Sequence, residues 1–323
     1  MKGQPGPVPT LLRPILDTYM DSAVALVGCN SRGLGRYSCE LDVLVVTGER
    51  RPATSIRIGD SFVDLTFATE RDVLKPANPE RAMSIATAKP VRDTSLILST
   101  GSAASSAVFS ESSKKASANR LASALKVLGR AEISLSKKDA VDADFWLLAA
   151  TYEFAYALLL SMESLPSPSH LLAQLRGTSK ANSGGFEGVS IGAGLDAAGR
   201  AGCGARLEGV TVLHDLLGAG SVSKTESEWV PVRTEILSAK AQELVTRVEL
   251  AECYCFLGQE LVDGIMSLLR RHPKHTLTSL TAGKDRLLGE RLVRQLGLVR
   301  DGNSVRTGIG IVKEQVSSLA RRE

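Results

Sequence analysis

The chain has 323 residues, 43% of them hydrophobic, 4% aromatic and 23% charged, with a formal net charge of +4. That length exceeds one minimal domain and implies two or three with ample apolar material for packed cores, while so mild a charge permits a polyanionic partner without requiring one. Five cysteines without regular spacing argue against a disulfide framework, and the absence of a charged-then-apolar leader or of an apolar run near the roughly 18 residues of a membrane span makes the chain read as cytoplasmic, with no membrane partner.

After a Pro/Gly-rich lead, Thr10 is placed to cap a helix running to about Met20, with Leu11, Leu12, Ile15 and Tyr19 on one side. Two apolar runs, Ala23 to Val27 and Leu41 to Val46, read as buried strands, and the stretch from Gly28 to Asp42 joins them through a glycine-rich turn suited to holding a phosphate. Glu40 and Asp42 are two apart, so alternation along a strand sends both carboxylates to the same face. The run Ser61 to Thr69 reads as a third strand with Asp64 in its middle, a charge that needs a partner. If that strand lies beside the first acid-bearing one, Glu40, Asp42 and Asp64 form a three-carboxylate cage for Mg²⁺. Arg50 and Arg51 in the turn Gly48 to Pro52 read as solvated, whereas Arg32 and Arg36 sit inside the phosphate turn.

At these residues the sequence resembles the nucleotidyltransferase superfamily related to polymerase beta, in its minimal and kanamycin-nucleotidyltransferase-like form. That family carries a Gly-Ser-x-Ala-Arg-Gly-like turn, an acid-x-acid pair on the next strand and a third acid on a later one. Here the turn is Gly28, Cys29, Asn30, Ser31, Arg32, Gly33, followed by Glu40-Leu41-Asp42. Cys29 stands where the family usually has serine, and a thiol is a poor hydrogen-bond partner; Glu40 stands where aspartate is commoner. The resemblance covers about the first hundred residues. It implies an N-terminal mixed sheet flanked by helices, with Gly28, Cys29, Ser31, Arg32 and Gly33 binding the nucleotide and Glu40, Asp42 and Asp64 as catalytic metal ligands.

Downstream, Glu70 to Leu74 and Pro79 to Ala88 read as helix, and the segment ending at Asp93 reads as a turn whose acid lines the nucleotide pocket or caps a helix. The serine- and alanine-rich run Ser99 to Ser117 is where a domain boundary is placed, giving a catalytic domain over 1–100, a helical domain over 118–230 and a helical C-terminal region over 235–323. Helical periodicity marks Ala118 to Arg130 and Asp139 to Met162, the latter an aromatic-rich core stripe. In relatives such a helical domain holds the acceptor, which draws attention to Glu153 and His170. Within Gly177 to Gly204, Gly188-Val189-Ser190-Ile191-Gly192 matches a hydrolase elbow and Gly192 to Ala197 a relaxed dinucleotide fingerprint, but neither follows a strand, and the segment reads as a loop and then a helix of small residues.

A long helical pattern runs from Glu235 to Leu269, Cys253 and Cys255 read as packing residues, and short helices are expected over Thr278 to Ala282 and Lys284 to Leu296. Asp301-Gly302-Asn303 between short arms reads as a hairpin, so this end looks somewhat like a winged helix, with Lys284, Arg286, Arg291, Arg294, Arg300 and Arg306 facing a nucleic acid. The chain is therefore expected to be α+β and to be a Mg²⁺-dependent nucleotidyltransferase, transferring a nucleoside monophosphate from a nucleoside triphosphate to a hydroxyl-bearing acceptor. The alternative is a catalytically inactive regulator on the same fold that binds nucleic acid or a protein.

Overall fold

Residues 8–36, 38–178, 183–219, 224–271, 293–298 and 300–322 are described by the structure, a computed structural model. The chain divides into two units, Met1–Ser113 with Val222–Ile236, and Lys114–Ser221 with Leu237–Glu323. The architecture is α+β: the first unit holds a mixed sheet with flanking helices, and the described residues of the second are helical.

The sheet contains β1 (Val24–Leu26), β2 (Leu41–Val46), β3 (Thr54–Ile58), β4 (Ser61–Ala68) and β5 (Lys89–Arg92), in the order β3-β4-β2-β1-β5. Only β2 and β4 pair in parallel; the other neighbours are antiparallel. Alternation sorts the side chains. Leu41, Val43, Val45, Val63 and Leu65 pack with Leu12 and Ile15 of helix α1 (Val8–Thr18). Leu44, Val46 and Ala68 face the opposite way, toward Val73 of α3 (Glu70–Leu74), Ile85 of α4 (Pro79–Ala86) and Leu98 of α5 (Ile97–Ala107). Asp42 shares parity with Leu44 and Asp64 with Ala68, so both acids belong to the α3–α5 face. Arg92 on β5 donates to the carbonyls of Leu16 and Ser22, each at 3.0 Å, and of Tyr19, fastening the sheet edge to the end of α1.

Several details differ from the sequence reading. Thr10 lies inside α1, which is already helical at Val8. The segment before Asp93, read as a turn, is edge strand β5, whose outer position tolerates Pro90. The run Ser99 to Ser117 is helical, covered by α5 and the start of α6 (Phe109–Ser136), where buried Ser105, Ser112, Ser113, Ala116 and Ser117 fit close-packed helix faces.

In the second unit the core is built on α7 (Ala140–Ser161). It packs against α8 (Leu171–Thr178), α9 (Ser183–Gly192), α12 (Leu250–Arg271) and α13 (Gly302–Ala320), and α12 also packs on α10 (Arg200–Ala219). By length and composition α7 passes as a membrane span, yet 89% of that window is buried inside the protein, as expected of a core helix. Gly192 ends α9 against α7: a Cβ there would stand 2.1 Å from Oγ1 of Thr151. The segment that matches a hydrolase elbow is thus mostly helix rather than loop, and its small residues serve helix packing.

The C-terminal hairpin is not formed. Asp301 instead caps α13, its carboxylate accepting from the amides of Asn303 at 2.8 Å and Ser304 at 3.0 Å. Val305, Ile309, Val312, Val316 and Leu319 are buried along one stripe of that helix. The stripe extends over about four turns and outweighs a three-residue turn signal. Without that hairpin the winged-helix reading loses its wing; its two expected helices fall mostly outside the described residues.

Candidate functional site

Strand pairing places the acids. In the β2–β4 register Asp42 is the partner of Asp64, and Glu40 immediately precedes β2 with the parity of Asp42. Carboxylate oxygens of Glu40, Asp42 and Asp64 lie within 4.8 Å of one another, Glu40 buried and the other two half-buried. Three anions at that separation repel one another strongly where water is scarce. The set is all oxygen, which suits a hard divalent cation, so the residues fit the metal that the sequence resemblance implies.

The glycine turn abuts this cluster. Val27 donates its amide to the Asp42 carbonyl at 2.9 Å, and the chain then enters the short helical turn α2 (Gly28–Ser31). Gly28 has φ +67°, and a Cβ on it would stand 2.0 Å from Oδ2 of Asp42. Only glycine lets the turn approach the acid so closely. Asn30 donates to the Glu40 carbonyl at 2.7 Å, and a Cβ at Gly35 would meet its side-chain oxygen at 2.1 Å. The turn is therefore bolted to the acid-bearing strand from both ends.

The other turn residues brace it. Ser31 Oγ and Arg32 Nε both donate to the Gly28 carbonyl, at 3.0 and 3.1 Å. Burial lowers the Arg32 pKa, opposed by Cys29 and Asp42. Cys29 is buried. A hydrogen bond with Cys39 pushes its thiol well above the usual range; burial and the charges of Asp42 and Glu40 add to this. That favours the thiol over the thiolate. Gly33 has φ +74° with open space around it.

Two residues absent from the sequence reading touch the acids. Ser55 on β3 hydrogen-bonds Oδ1 of Asp64 through its hydroxyl. The alternating run Thr54–Ile58 before Gly59-Asp60 is a strand-and-turn signal that could have found it. Arg233, in the part of α11 (Lys224–Thr246) that belongs to this unit, lies 3.7 Å from Oε1 of Glu40 and 3.7 Å from Oδ2 of Asp64. No local signal links it to residues so far away in sequence.

The remaining candidates are placed elsewhere. Asp93 accepts from the amides of Leu98 and Ser99 and from the Ser99 hydroxyl, at 3.0, 2.7 and 2.7 Å, and so caps α5. Arg50 pairs with Asp72 at 2.5 Å, and Arg51 lies 6.0 Å from the Phe67 ring centroid. Glu153 receives one Arg120 nitrogen on both oxygens, at 3.0 and 3.2 Å, and His170 is buried in the turn Pro168–His170. Arg300, expected on a wing, instead pairs with buried Asp144 and donates to the carbonyls of Ile191 and Gly192, at 2.9 and 3.1 Å. Arg294 and Arg306 are exposed; Lys284, Arg286 and Arg291 lie outside the described residues.

No family model matches the sequence, and no curated protein does. Among solved structures the chain is similar to the crystal structure of a nucleotidyltransferase-like protein from Exiguobacterium sibiricum, at 13% identity over 90% of this chain and 89% of that one, with a TM-score of 0.36. A likeness that slight carries no argument about this chain.

Proposed function

We propose that the first unit is a Mg²⁺-dependent nucleotidyltransferase, which joins a nucleoside monophosphate from a nucleoside triphosphate to a hydroxyl-bearing acceptor and releases pyrophosphate. The observation that carries this reading is the convergence of Glu40, Asp42 and Asp64 within 4.8 Å beside a glycine turn pressed against Asp42. The turn Gly28–Gly33 receives the triphosphate, with Cys29 and Ser31 in its wall and Arg32 facing the phosphate charge. Glu40 and Asp42 hold the metal, and Asp64 shares it. When bound, Mg²⁺ supplies neutralisation of the charge that develops on the leaving pyrophosphate. Asp64, oriented by Ser55, accepts the proton of the attacking acceptor hydroxyl.

Pyrophosphate release from ATP, GTP, CTP and UTP, measured with Mg²⁺ and a panel of hydroxylated acceptors, tests the proposal. One nucleotide should be turned over by the wild type and none by Asp42→Asn; undiminished turnover by that variant sinks the assignment. A second reading, a non-catalytic regulator on this fold, draws support from Cys29 in the turn and from Arg233 against Glu40 and Asp64. It predicts no turnover of any nucleotide, and salt-sensitive binding to RNA or DNA if the partner is a nucleic acid.

A further inference from the structure

The segment that supplies Arg233 is separated in sequence from the rest of its unit by 108 residues, Lys114–Ser221. It nevertheless belongs to that unit: Ile236 is fully buried, and Glu235 lies 3.8 Å from Arg57 on β3, the strand that also carries Ser55. Three residues before Ile236, about one turn of helix away, Arg233 places its guanidinium at the same 3.7 Å from an oxygen of Glu40 and an oxygen of Asp64. Its side chain is only 17% exposed. One nitrogen thus bridges two of the three carboxylates assigned to the metal.

We propose that Arg233 is a resident cation of the acidic cluster, and that a divalent ion binds by displacing it. The inference rests on the reading of Glu40, Asp42 and Asp64 as a metal site and adds how that site is regulated. The physical case has two parts. Three clustered carboxylates favour positive charge nearby whenever no metal is bound, and a largely buried guanidinium supplies it at a lower desolvation cost than an ammonium would. Contacts of 3.7 Å are also much longer than the roughly 2.7–2.9 Å of a tight charge-assisted pair. A doubly charged ion at about 2.0–2.6 Å from the same oxygens attracts them more strongly than a single charge 3.7 Å away. Occupancy of the site is then set by competition between the ion in solution and one side chain of the protein's own helix.

Binding of Mn²⁺ alone to the full chain, followed through the electron paramagnetic resonance signal of free Mn²⁺, tests this on the wild type, Arg233→Gln, Arg233→Lys and Asp42→Asn, each checked for folding by circular dichroism. Arg233→Gln removes the competing charge and should bind Mn²⁺ about tenfold tighter or more, given charges about 4 Å apart in a partly buried site. Arg233→Lys keeps the charge and should stay near the wild type, and Asp42→Asn should lose binding. Arg233→Met serves as a second neutral variant if the amide is not tolerated. Mn²⁺ binding by the glutamine variant but not by the wild type also supports displacement. Wild-type binding that the neutral variants leave unchanged or weaken overturns the role of Arg233 while leaving the metal reading intact. Equal tightening by lysine and glutamine overturns charge competition as the cause. No binding by any variant overturns both readings.

Discussion

A methyl group added at Gly28 would need the space of the Asp42 carboxylate, 2.0 Å away, and would also force a side chain into left-handed backbone. At Gly33 the backbone is equally left-handed but the space is open. Gly33→Ala should therefore cost only the conformational term, about 1 kcal/mol, and Gly28→Ala clearly more, with loss of metal affinity besides. Urea titration of the two variants checks this, and equal losses would show that the turn does not press on the acid. Asp72 gives a pH signature at the same scale. The Arg50 bond first, then Thr69, hold its carboxyl well below the usual range. A depressed carboxyl lends stability that is present above the ordinary carboxylate range and lost as pH falls. Asp72→Asn should lower the melting temperature at neutral pH and flatten the fall on acidification; an unchanged acid limb would contradict it.

At the scale of elements, α13 shows how one short string can carry two signals. Asp301-Gly302-Asn303 suits a hairpin and equally suits a helix start, and the buried stripe from Val305 to Leu319 decides for the helix. Asp301→Ala should cost about 1 kcal/mol through the lost cap, read by denaturant titration; no loss would mean that the helix is fixed by packing alone. Arg300, one residue before the cap, matters more because it neutralises Asp144, whose carboxylate is buried. Burial raises the Asp144 pKa, and Arg300 opposes the rise. Arg300→Ala removes the ion pair of that buried charge, leaving it only the coulombic attraction of Arg206, and should cost about 3 kcal/mol at neutral pH. A raised carboxyl binds its proton more tightly in the folded state, so stability falls as pH rises through that range. The variant should accordingly recover toward the wild type as the solution is acidified, and a pH-independent loss would rule out the buried charge as its cause.

At the scale of the whole molecule, what the sequence made legible was local or periodic. Strand alternation was enough to put Glu40 and Asp42 on one face, whereas Asp64 could join them only if its strand lay beside theirs, the condition that the parallel β2–β4 pairing meets. The serine- and alanine-rich run Ser99 to Ser117 contains the division between the units at Ser113 and Lys114, but its composition gives no sign that the run is helical. Arg233 was not legible at all. Its position against Glu40 and Asp64 depends on a segment that rejoins the first unit after the intervening chain has folded into the second, and no short-range pattern records such a return. Ser55 reaches Asp64 across the β3–β4 hairpin. The central claim is that Glu40, Asp42 and Asp64 with the Gly28 turn form one metal-nucleotide site. Isothermal titration calorimetry of the wild type and Asp42→Asn with ATP, GTP, CTP and UTP, each with and without Mg²⁺, tests it most directly. The account predicts binding of at least one nucleotide that requires Mg²⁺ and is lost in the variant. Absence of binding by a folded wild type, or binding indifferent to both the metal and Asp42, would contradict it.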